Sequence, residues 1–346
     1  MFGVSTLGFA EEFGVVGGLT TVQFLYAIYG VFSSHLMTIG LTPLFLIVHA
    51  SFATSIFLLP LTVVFERNKW PGMSLKMLSQ FVLIAFGGVT MFQVLMLIGI
   101  EKTSPAVASA MPNLAPGLIF VIAWALRFEN VKLKCIYSRV KILGTLICIA
   151  GAITMSFLHT STATRTQLNV TTVNNDKIIG TMCLMVAVII LSFTVVLQAS
   201  TLVEFPAPLT LCTITAFIGA ILTGIVQLIQ EQSFQIGSPF LSVAKIAGYS
   251  LLGGAMNGAC TSFQSWVIQR RGPVFTSTFS PIGTVFAVIL SALFLGEAIT
   301  LGSLFGMFLM FTGLYFVLWA KKKEDFLVED IAKTPKDFDV EKPLLR

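Results

Sequence analysis

Long apolar stretches alternate with short polar segments along the whole chain, and ten of these stretches are long enough to cross a membrane. A helix of about 20 mostly apolar residues spans the hydrocarbon core of a bilayer. The predicted spans are residues 17–38, 42–65, 77–99, 104–126, 142–158, 178–199, 207–229, 246–268, 274–295 and 298–320. The pattern therefore predicts an all-α polytopic membrane protein with ten transmembrane helices.

The distribution of charged residues agrees with these spans. The chain of 346 residues has 21 Lys and Arg and 16 Asp and Glu, and none of them falls inside a predicted span. Charged residues make up 11% of the chain, against about 25% in soluble domains. This composition excludes a soluble globular protein, and its hydrophobicity excludes an intrinsically disordered one.

Basic residues in the loops predict that both termini are cytoplasmic. Thirteen Lys and Arg fall in the loops on the side of the termini and in the run Lys321 to Lys323 that follows the last span, and four fall on the other side. Cytoplasmic loops of membrane proteins carry this excess of positive charge, so the net charge of +5 needs no nucleic-acid partner. The sequon that starts at Asn169 is a glycosylation candidate in the loop 159–177, which this topology places outside.

The two halves of the chain carry the same marks at a constant offset. Pro105 and Pro273 are 168 residues apart, and so are Glu129 and Glu297. A unit of five spans must enter the membrane upside down when it is duplicated, which predicts two inverted five-helix repeats. A duplication retained only for packing is the alternative. The predicted organisation is a cytoplasmic N-terminal tail (1–16), a first repeat (17–158), an external loop (159–177), a second repeat (178–320) and a cytoplasmic C-terminal tail (321–346).

Polar side chains within the spans are the candidate substrate-binding groups, because such groups usually face the bundle interior or a wet cavity. In the span 246–268, Ser250, Gly254, Asn257, Thr261 and Gln264 recur at steps of three and four and share one helix face. This face is either a cavity wall or a helix–helix contact joined by hydrogen bonds. The predicted substrate-binding residues are Gln23, Tyr26, Gln93, Asn113, Asn257, Thr261 and Gln264.

Prolines within the spans predict interrupted helices. A proline inside a helix frees a backbone carbonyl and bends the axis, and interrupted helices in transporters lie at the binding site. A kink that serves only packing is the alternative. The predicted helix-break or gating residues are Pro105, Pro112, Pro116, Pro273 and Pro281.

A few titratable residues lie in or beside the spans. His49 is a candidate for proton coupling, although a lone histidine in a helix is more often structural. Glu129 and Glu297 lie at span ends, where they are expected to bind backbone groups of the turn; gating or cation binding is the alternative. The five cysteines have no metal-ligand spacing and no catalytic motif is present, so we expect no metal, no cofactor and no enzymatic activity.

Short motifs in both halves, over roughly residues 17–325, resemble those of a known family. They are Gly99 to Pro105, Ala108 to Met111, Asn113-Leu114, Phe128-Glu129, Phe205-Pro206-Ala207, Gly272 to Phe275, Leu295-Gly296-Glu297, Gly313-Leu314-Tyr315 and Leu318 to Lys321. Taken jointly, they resemble the plant nodulin-like transporters of the drug/metabolite transporter superfamily. These are the WAT1 ("walls are thin")-related proteins, also called "usually multiple acids move in and out" transporters.

The resemblance implies two EamA-type repeats and transport of amino acids or of organic acids such as auxin. It also implies the plasma membrane, or for some members the vacuolar membrane. The chain departs from the family at three places: Val48-His49 where many relatives have Tyr-Arg, Pro112 where Ser is common, and Ser34-His35 where Lys is frequent. These departures bear on the substrate and on any coupling ion rather than on the fold.

The absence of charge in the spans constrains the expected solute. A phosphorylated solute would call for fixed Lys or Arg near the midplane. An amino acid, zwitterionic and net neutral, suits a site of amides, hydroxyls and aromatic walls, and a monocarboxylate such as auxin suits helix N-termini. We therefore expect facilitated, bidirectional transport of amino acids by alternating access. The alternatives are a carrier of auxin or another organic acid, and a membrane receptor or scaffold that transports nothing. The expected partners are the solute and the lipid bilayer; the sequence carries no signal for the oligomeric state.

Overall fold

The computed structural model describes residues 3–38, 41–67, 74–102, 111–126, 136–163, 174–231 and 243–295, and several short pieces of 304–323. Regular structure in these ranges is helical. The helices are α1 (Gly3–Thr38), α2 (Pro43–Glu66), α3 (Leu75–Ile84), α4 (Phe92–Lys102), α5 (Ala115–Ala125), α6 (Ile136–Ala163), α7 (Asn174–Glu204), α8 (Pro208–Glu231), α9 (Val243–Arg271), α10 (Pro273–Ser277) and α11 (Ser280–Leu295). A π-helix (Ala85–Met91) joins α3 to α4, and a 3₁₀-helix (Met111–Leu114) precedes α5.

All ten predicted spans contain described helical residues. Among the described residues, six helical stretches have the length and composition needed to cross a membrane: Glu11–Ser33, Pro43–Glu66, Leu75–Lys102, Ile178–Glu204, Pro208–Ile229 and Pro273–Phe294. Shorter apolar helices cover Met111–Ala125 and Leu304–Val317. α9 is 29 residues long but less apolar, because it carries the Ser, Asn and Gln residues of the candidate site. The predicted class, an all-α polytopic membrane protein, is confirmed.

The outside of the helix bundle is apolar. Val64, Phe65, Leu293 and Phe294 are each at least 68% exposed, on helices that contain no charge within their spans. Large contiguous apolar surfaces of this kind are not tolerated in water. They are the surface that contacts lipid.

The helices at the centre of the bundle are α2, α8 and α9. α2 packs along both α8 and α9, while α1 packs against α9 and α11, and α7 packs against α4 and α5. Glycines permit the closest of these contacts. A Cβ atom on Gly254 of α9 would lie 2.7 Å from the carbonyl carbon of Ala53 and 2.7 Å from the amide nitrogen of Thr54, both in α2. α9 can therefore lie directly against the backbone of α2.

Ionic contacts align the helix ends. Arg270 at the end of α9 is 2.7 Å from Glu11 in α1, and Lys76 at the start of α3 is 2.7 Å from Glu204 at the end of α7. Glu66 at the end of α2 binds the start of α8. These groups share one end of the bundle, here named the Glu66 end; the start of α2 lies at the opposite end, here named the Thr42 end. α2 thus ends where α3 and α8 begin, as expected of helices that cross a membrane in alternating directions.

The helical run also extends into the predicted N-terminal tail, since α1 begins at Gly3 rather than near residue 17. The side chains of residues 1–10 and the residues beyond 323 lie outside what the structure describes.

We expect Gly254→Ala to destabilise the protein, because the added methyl group must displace the backbone of α2. Overpacking of this kind costs about 1–3 kcal/mol. The matched control is Gly248→Ala in the same helix, where no atom lies within 4 Å of the new Cβ. The Tm of the purified protein is measured by heating samples and determining the remaining monodisperse fraction by size-exclusion chromatography. It should be lower for Gly254→Ala only. Equal Tm values for the two variants would contradict the close contact.

Candidate substrate-binding site

Hydrogen bonds join α9 to α2 beside the glycine contact. The Thr54 hydroxyl donates to the carbonyl oxygen of Gly254 at 3.0 Å. The amide of Asn257 in turn donates to the Thr54 hydroxyl at 3.4 Å. On this part of the predicted polar face, Gly254 serves helix packing, whereas Asn257 is half-buried and only weakly held.

A second amide on the same face, Gln264, faces α1. The Tyr26 hydroxyl donates to the Gln264 side-chain oxygen at 3.3 Å. Gln23, one turn earlier in α1, is 6% exposed, and its side-chain oxygen would lie 2.6 Å from a Cβ on Gly283 of α11. The structure thus brings together three of the predicted residues, Gln23, Tyr26 and Gln264, where α1 packs against α9 and α11.

Ser265 is a polar residue at this site that the sequence interpretation missed. Its hydroxyl donates to the carbonyl oxygen of Thr261 at 2.7 Å and accepts from the Gln198 amide of α7 at 2.7 Å. The Cys212 thiol of α8 lies 3.0 Å from the same oxygen. Ser265 is four residues after Thr261 and borders the polar face, but the spacing was continued through its neighbour Gln264, so Ser265 was not selected.

Thr261 bonds within its own helix. Its hydroxyl donates to the carbonyl oxygen of Asn257 at 2.8 Å, a pattern that satisfies a threonine in an apolar helix. It therefore places a half-buried hydroxyl between the two amides, Asn257 and Gln264.

An interrupted helix of the second half meets the start of α5 in the first half. In the second half the helix breaks at Thr278 and Phe279, just before Pro281. In the first half a 3₁₀-helix that contains Pro112 precedes α5, which has Pro116 in its first turn. The hydroxyl of Thr284 donates to the side-chain oxygen of the buried Asn113 at 2.8 Å. The hydrogen bond joins the broken helix of the second half to the 3₁₀-helix of the first.

Pro273 follows Gly272, whose φ of 88° is accessible mainly to glycine. The pair ends α9 and starts α10. Pro105 lies outside the described residues.

Gln93 is half-buried at the start of α4, directly after the π-helix. The sequence interpretation did not predict this π-helix, although Gly87 and Gly88 lie within it. A Cβ on Gly87 would lie 2.6 Å from the Thr194 hydroxyl oxygen of α7, so the glycines let the π-helix pack closely against α7. Single-turn π-helices occur frequently at functional sites.

His49 is bound within its own helix. Its Nδ1 lies 2.8 Å from the carbonyl oxygen of Phe45, and its ring packs on the Phe45 ring at a centroid distance of 3.8 Å. Because a carbonyl oxygen can only accept, Nδ1 carries the proton in this contact. These contacts favour the structural alternative for His49.

Glu66, which the sequence interpretation left out, binds backbone groups at the start of a helix. This is the role that was predicted for Glu129 and Glu297. Glu66 accepts hydrogen bonds from the backbone amides of Leu209 and Thr210, at 3.2 and 2.7 Å. Its signal in the sequence is a charge immediately after an apolar span. Glu129, Glu297 and the glycosylation candidate Asn169 lie outside the described residues.

The site as a whole is polar without charge. Its amides, hydroxyls, thiol and phenol come from α1, α2, α7, α8 and α9, and no Lys, Arg, Asp or Glu occurs within the corresponding spans. The contacts of Asn257 and Gln264 at 3.3–3.4 Å are longer than ordinary hydrogen bonds, which lie at about 2.5–3.2 Å. These two amides are therefore held by weak contacts only.

Comparison with known proteins identifies the fold and family. The EamA-like transporter family matches the chain twice, at residues 13–157 and 178–319, once in each predicted repeat. A solved crystal structure superimposes with a TM-score of 0.67 at 15% sequence identity, covering 88% of this chain and 97% of the other. At this identity the superposition shows a shared fold.

Plant proteins are similar over nearly the full length. The WAT1-related protein At5g47470 of Arabidopsis thaliana is 49% identical over 97% of this chain and 93% of its own length. The WAT1-related protein At4g16620 is 44% identical over 96% and 98%, and Protein WALLS ARE THIN 1 is 31% identical over 92% and 86%, both from the same plant. The chain therefore belongs to the EamA-like transporter family, within the group of plant WAT1-related membrane proteins.

Proposed function

We propose that this membrane transporter carries amino acids by alternating access, as a bidirectional facilitator. The observation that carries the proposal is the neutral polar centre, in which the amides of Asn257 and Gln264 are weakly held. An amino acid is net neutral, and its ammonium and carboxylate groups can take up hydrogen bonds from amides and hydroxyls. A solute with a phosphate group would leave its charge unmatched in this centre.

The second candidate is a carrier of auxin or another organic monocarboxylate. The interrupted helices favour it, because helix starts such as that of α11 can stabilise a single carboxylate. A receptor or scaffold that moves no solute is the candidate from a different class.

The proposed organisation has a cytoplasmic tail (1–16), two five-helix repeats (17–158 and 178–320) around an external loop (159–177), and a second cytoplasmic tail (321–346). The paired Lys76 and Arg270 lie at the Glu66 end, which the excess of basic loops assigns to the cytoplasm. We propose the plasma membrane as the location and the vacuolar membrane as the alternative.

The first prediction concerns the solute. Proteoliposomes that contain the purified protein should release labelled amino acids down their own gradient, with or without a pH gradient. Protein-free liposomes and liposomes loaded with indole-3-acetate are the controls. Release of indole-3-acetate without release of any amino acid would select the second candidate. No release of either solute would contradict both.

The second prediction concerns the two amides. Asn257→Ala and Gln264→Ala should each raise the KM for solute release about five- to tenfold, because each removes hydrogen bonds worth about 1–1.5 kcal/mol. The matched control is Thr21→Val in α1, an exposed threonine whose hydroxyl bonds only to Gly17 of its own helix in the contacts described. Unchanged KM values in folded Asn257→Ala and Gln264→Ala proteins would show that the amides do not bind the solute.

The third prediction concerns His49. If the protein is a facilitator and the His49 ring serves only contacts within its own helix, His49→Gln should retain the transport rate. Glutamine keeps a hydrogen-bond donor near Phe45. The same proteoliposome assay, with and without a pH gradient, measures the rate. Transport that requires the gradient in the parent protein and loses that requirement in His49→Gln would make His49 the proton-coupling residue.

A further inference from the structure

Two threonine hydroxyls at the site have already given their single proton to the backbone. The Thr54 hydroxyl donates to the carbonyl oxygen of Gly254 at 3.0 Å. The Thr261 hydroxyl donates to the backbone carbonyl oxygen of Asn257 at 2.8 Å and lies 3.2 Å from that of Gly258. Because a carbonyl oxygen can only accept, the oxygen atoms of both threonines can now act only as acceptors.

The direction of the Asn257 amide follows from this. Its side chain contacts the Thr54 hydroxyl oxygen at 3.4 Å, and since that oxygen can only accept, the contact must be made by the NH₂ group. The side-chain oxygen of Asn257 remains as the atom that can bind another group. Asn257 is half-buried, and among the described residues no group donates to this oxygen.

The amide of Gln264 presents the opposite polarity. The Tyr26 hydroxyl of α1 donates to its side-chain oxygen at 3.3 Å, so the NH₂ group, with two protons to donate, is the part that remains. Gln264 is half-buried and lies two turns beyond Asn257 on the same face of α9. The polar face therefore offers acceptors at Asn257 and Thr261, and donors at Gln264.

The spacing of the two amides suits an α-amino acid. Asn257 and Gln264 are seven residues apart, which is about 10 Å along a helix axis. Side chains of a helix lean toward its N-terminus, so the longer Gln264 side chain extends back toward Asn257. An ammonium group and a carboxylate on the same carbon atom, each making a hydrogen bond of about 3 Å, can bridge this span.

We propose that the site binds an amino acid in one orientation, with its ammonium group at Asn257 and Thr261 and its carboxylate at Gln264. An ammonium group can only donate, and a carboxylate can only accept. The reverse orientation would place donor against donor and acceptor against acceptor. The inference rests on the proposed transport of amino acids, and it assigns a separate task to each part of the polar face.

The orientation has a direction in the membrane and two positioning residues. α9 ends with Arg270 at the Glu66 end, so the carboxylate points toward that end and the ammonium group toward the Thr42 end. Thr54, which the sequence interpretation did not select, is 2% exposed and directs the Asn257 amide. Tyr26 directs the Gln264 amide in the same way. Both act on the solute through an amide.

The experiment separates the two charged groups of the solute. It uses the amino acid that the proteoliposomes release fastest, together with the amine that lacks its carboxylate and the acid that lacks its ammonium group. For leucine these analogues are 3-methylbutylamine and 4-methylpentanoate. The inhibition constant Ki of each analogue is measured against release of the labelled amino acid, with the analogue on both sides of the membrane.

The two amide variants should give a crossed result. Asn257→Ala should raise the Ki of the amine about fivefold and leave that of the acid unchanged, while Gln264→Ala should do the opposite. The factor corresponds to the loss of one hydrogen bond. If Asn257→Ala does not give a monodisperse protein, Thr54→Val makes the same test from α2.

Variants of the positioning residues should affect the same analogues. Thr54→Val keeps the side-chain shape but removes the acceptor of the Asn257 amide, so it should raise the Ki of the amine only, and Tyr26→Phe should raise that of the acid only. Thr54→Ser retains the hydroxyl and should keep the parent ratio of the two Ki values. The matched control is Thr62→Val, at a threonine of α2 that is also 2% exposed and bonds to α2 and α8; it should change neither Ki.

Several outcomes would overturn the proposal. A reversed pattern would show the opposite orientation, and equal effects of each variant on both analogues would show that the amides do not distinguish the two groups. An analogue that fails to inhibit the parent protein would show that the site has no separate place for its charged group. Release of no amino acid would contradict the proposed function itself, whereas release with a reversed or uncrossed pattern would contradict the orientation alone.

Discussion

In hydrocarbon, a hydroxyl or amide without a hydrogen-bond partner is costly, and the arrangement of most polar side chains in this protein follows from that constraint. Threonines and serines in the helices meet it locally, by donating to the carbonyl four residues earlier, as Thr62, Ser192 and Thr201 do. The amides are too large to be satisfied in this way. Gln198, Asn257 and Gln264 find partners on neighbouring helices, and so they gather at the centre of the bundle.

Close helix packing makes these partnerships possible. Gly254 and Gly258 of α9 leave room for Ala53, Thr54 and Leu58 of α2, and the polar groups beside them then come within reach of one another. The same three helices that pack most closely, α2, α8 and α9, thus supply most of the polar groups of the centre. A centre built from neutral groups can release and regain its hydrogen bonds without separating charges, which in a membrane would be far more costly. That property suits a site that must bind a solute and let it go again.

The charged groups whose contacts are described lie at the ends of the helices, where they join one helix to another. Lys76 with Glu204 and Arg270 with Glu11 are exposed pairs, and such pairs contribute little to stability. Glu66 differs because it is buried and binds two backbone amides and a hydroxyl. It joins the end of α2 to the start of α8.

The sequence by itself determined the fold class and predicted ten spans in two repeats, because an apolar run of fixed length without charge has few alternatives to a transmembrane helix. It also selected Tyr26, Asn113, Asn257 and Gln264, since amides and phenols in such runs are rare and must face inward. Only the tertiary structure showed that Gly254 packs against a backbone and that His49 is bound within its own helix. Ser265, the π-helix and Glu66 were likewise decided there. The physical reason is that periodicity reports which face a side chain occupies, whereas its partner depends on which helix lies opposite and in what register.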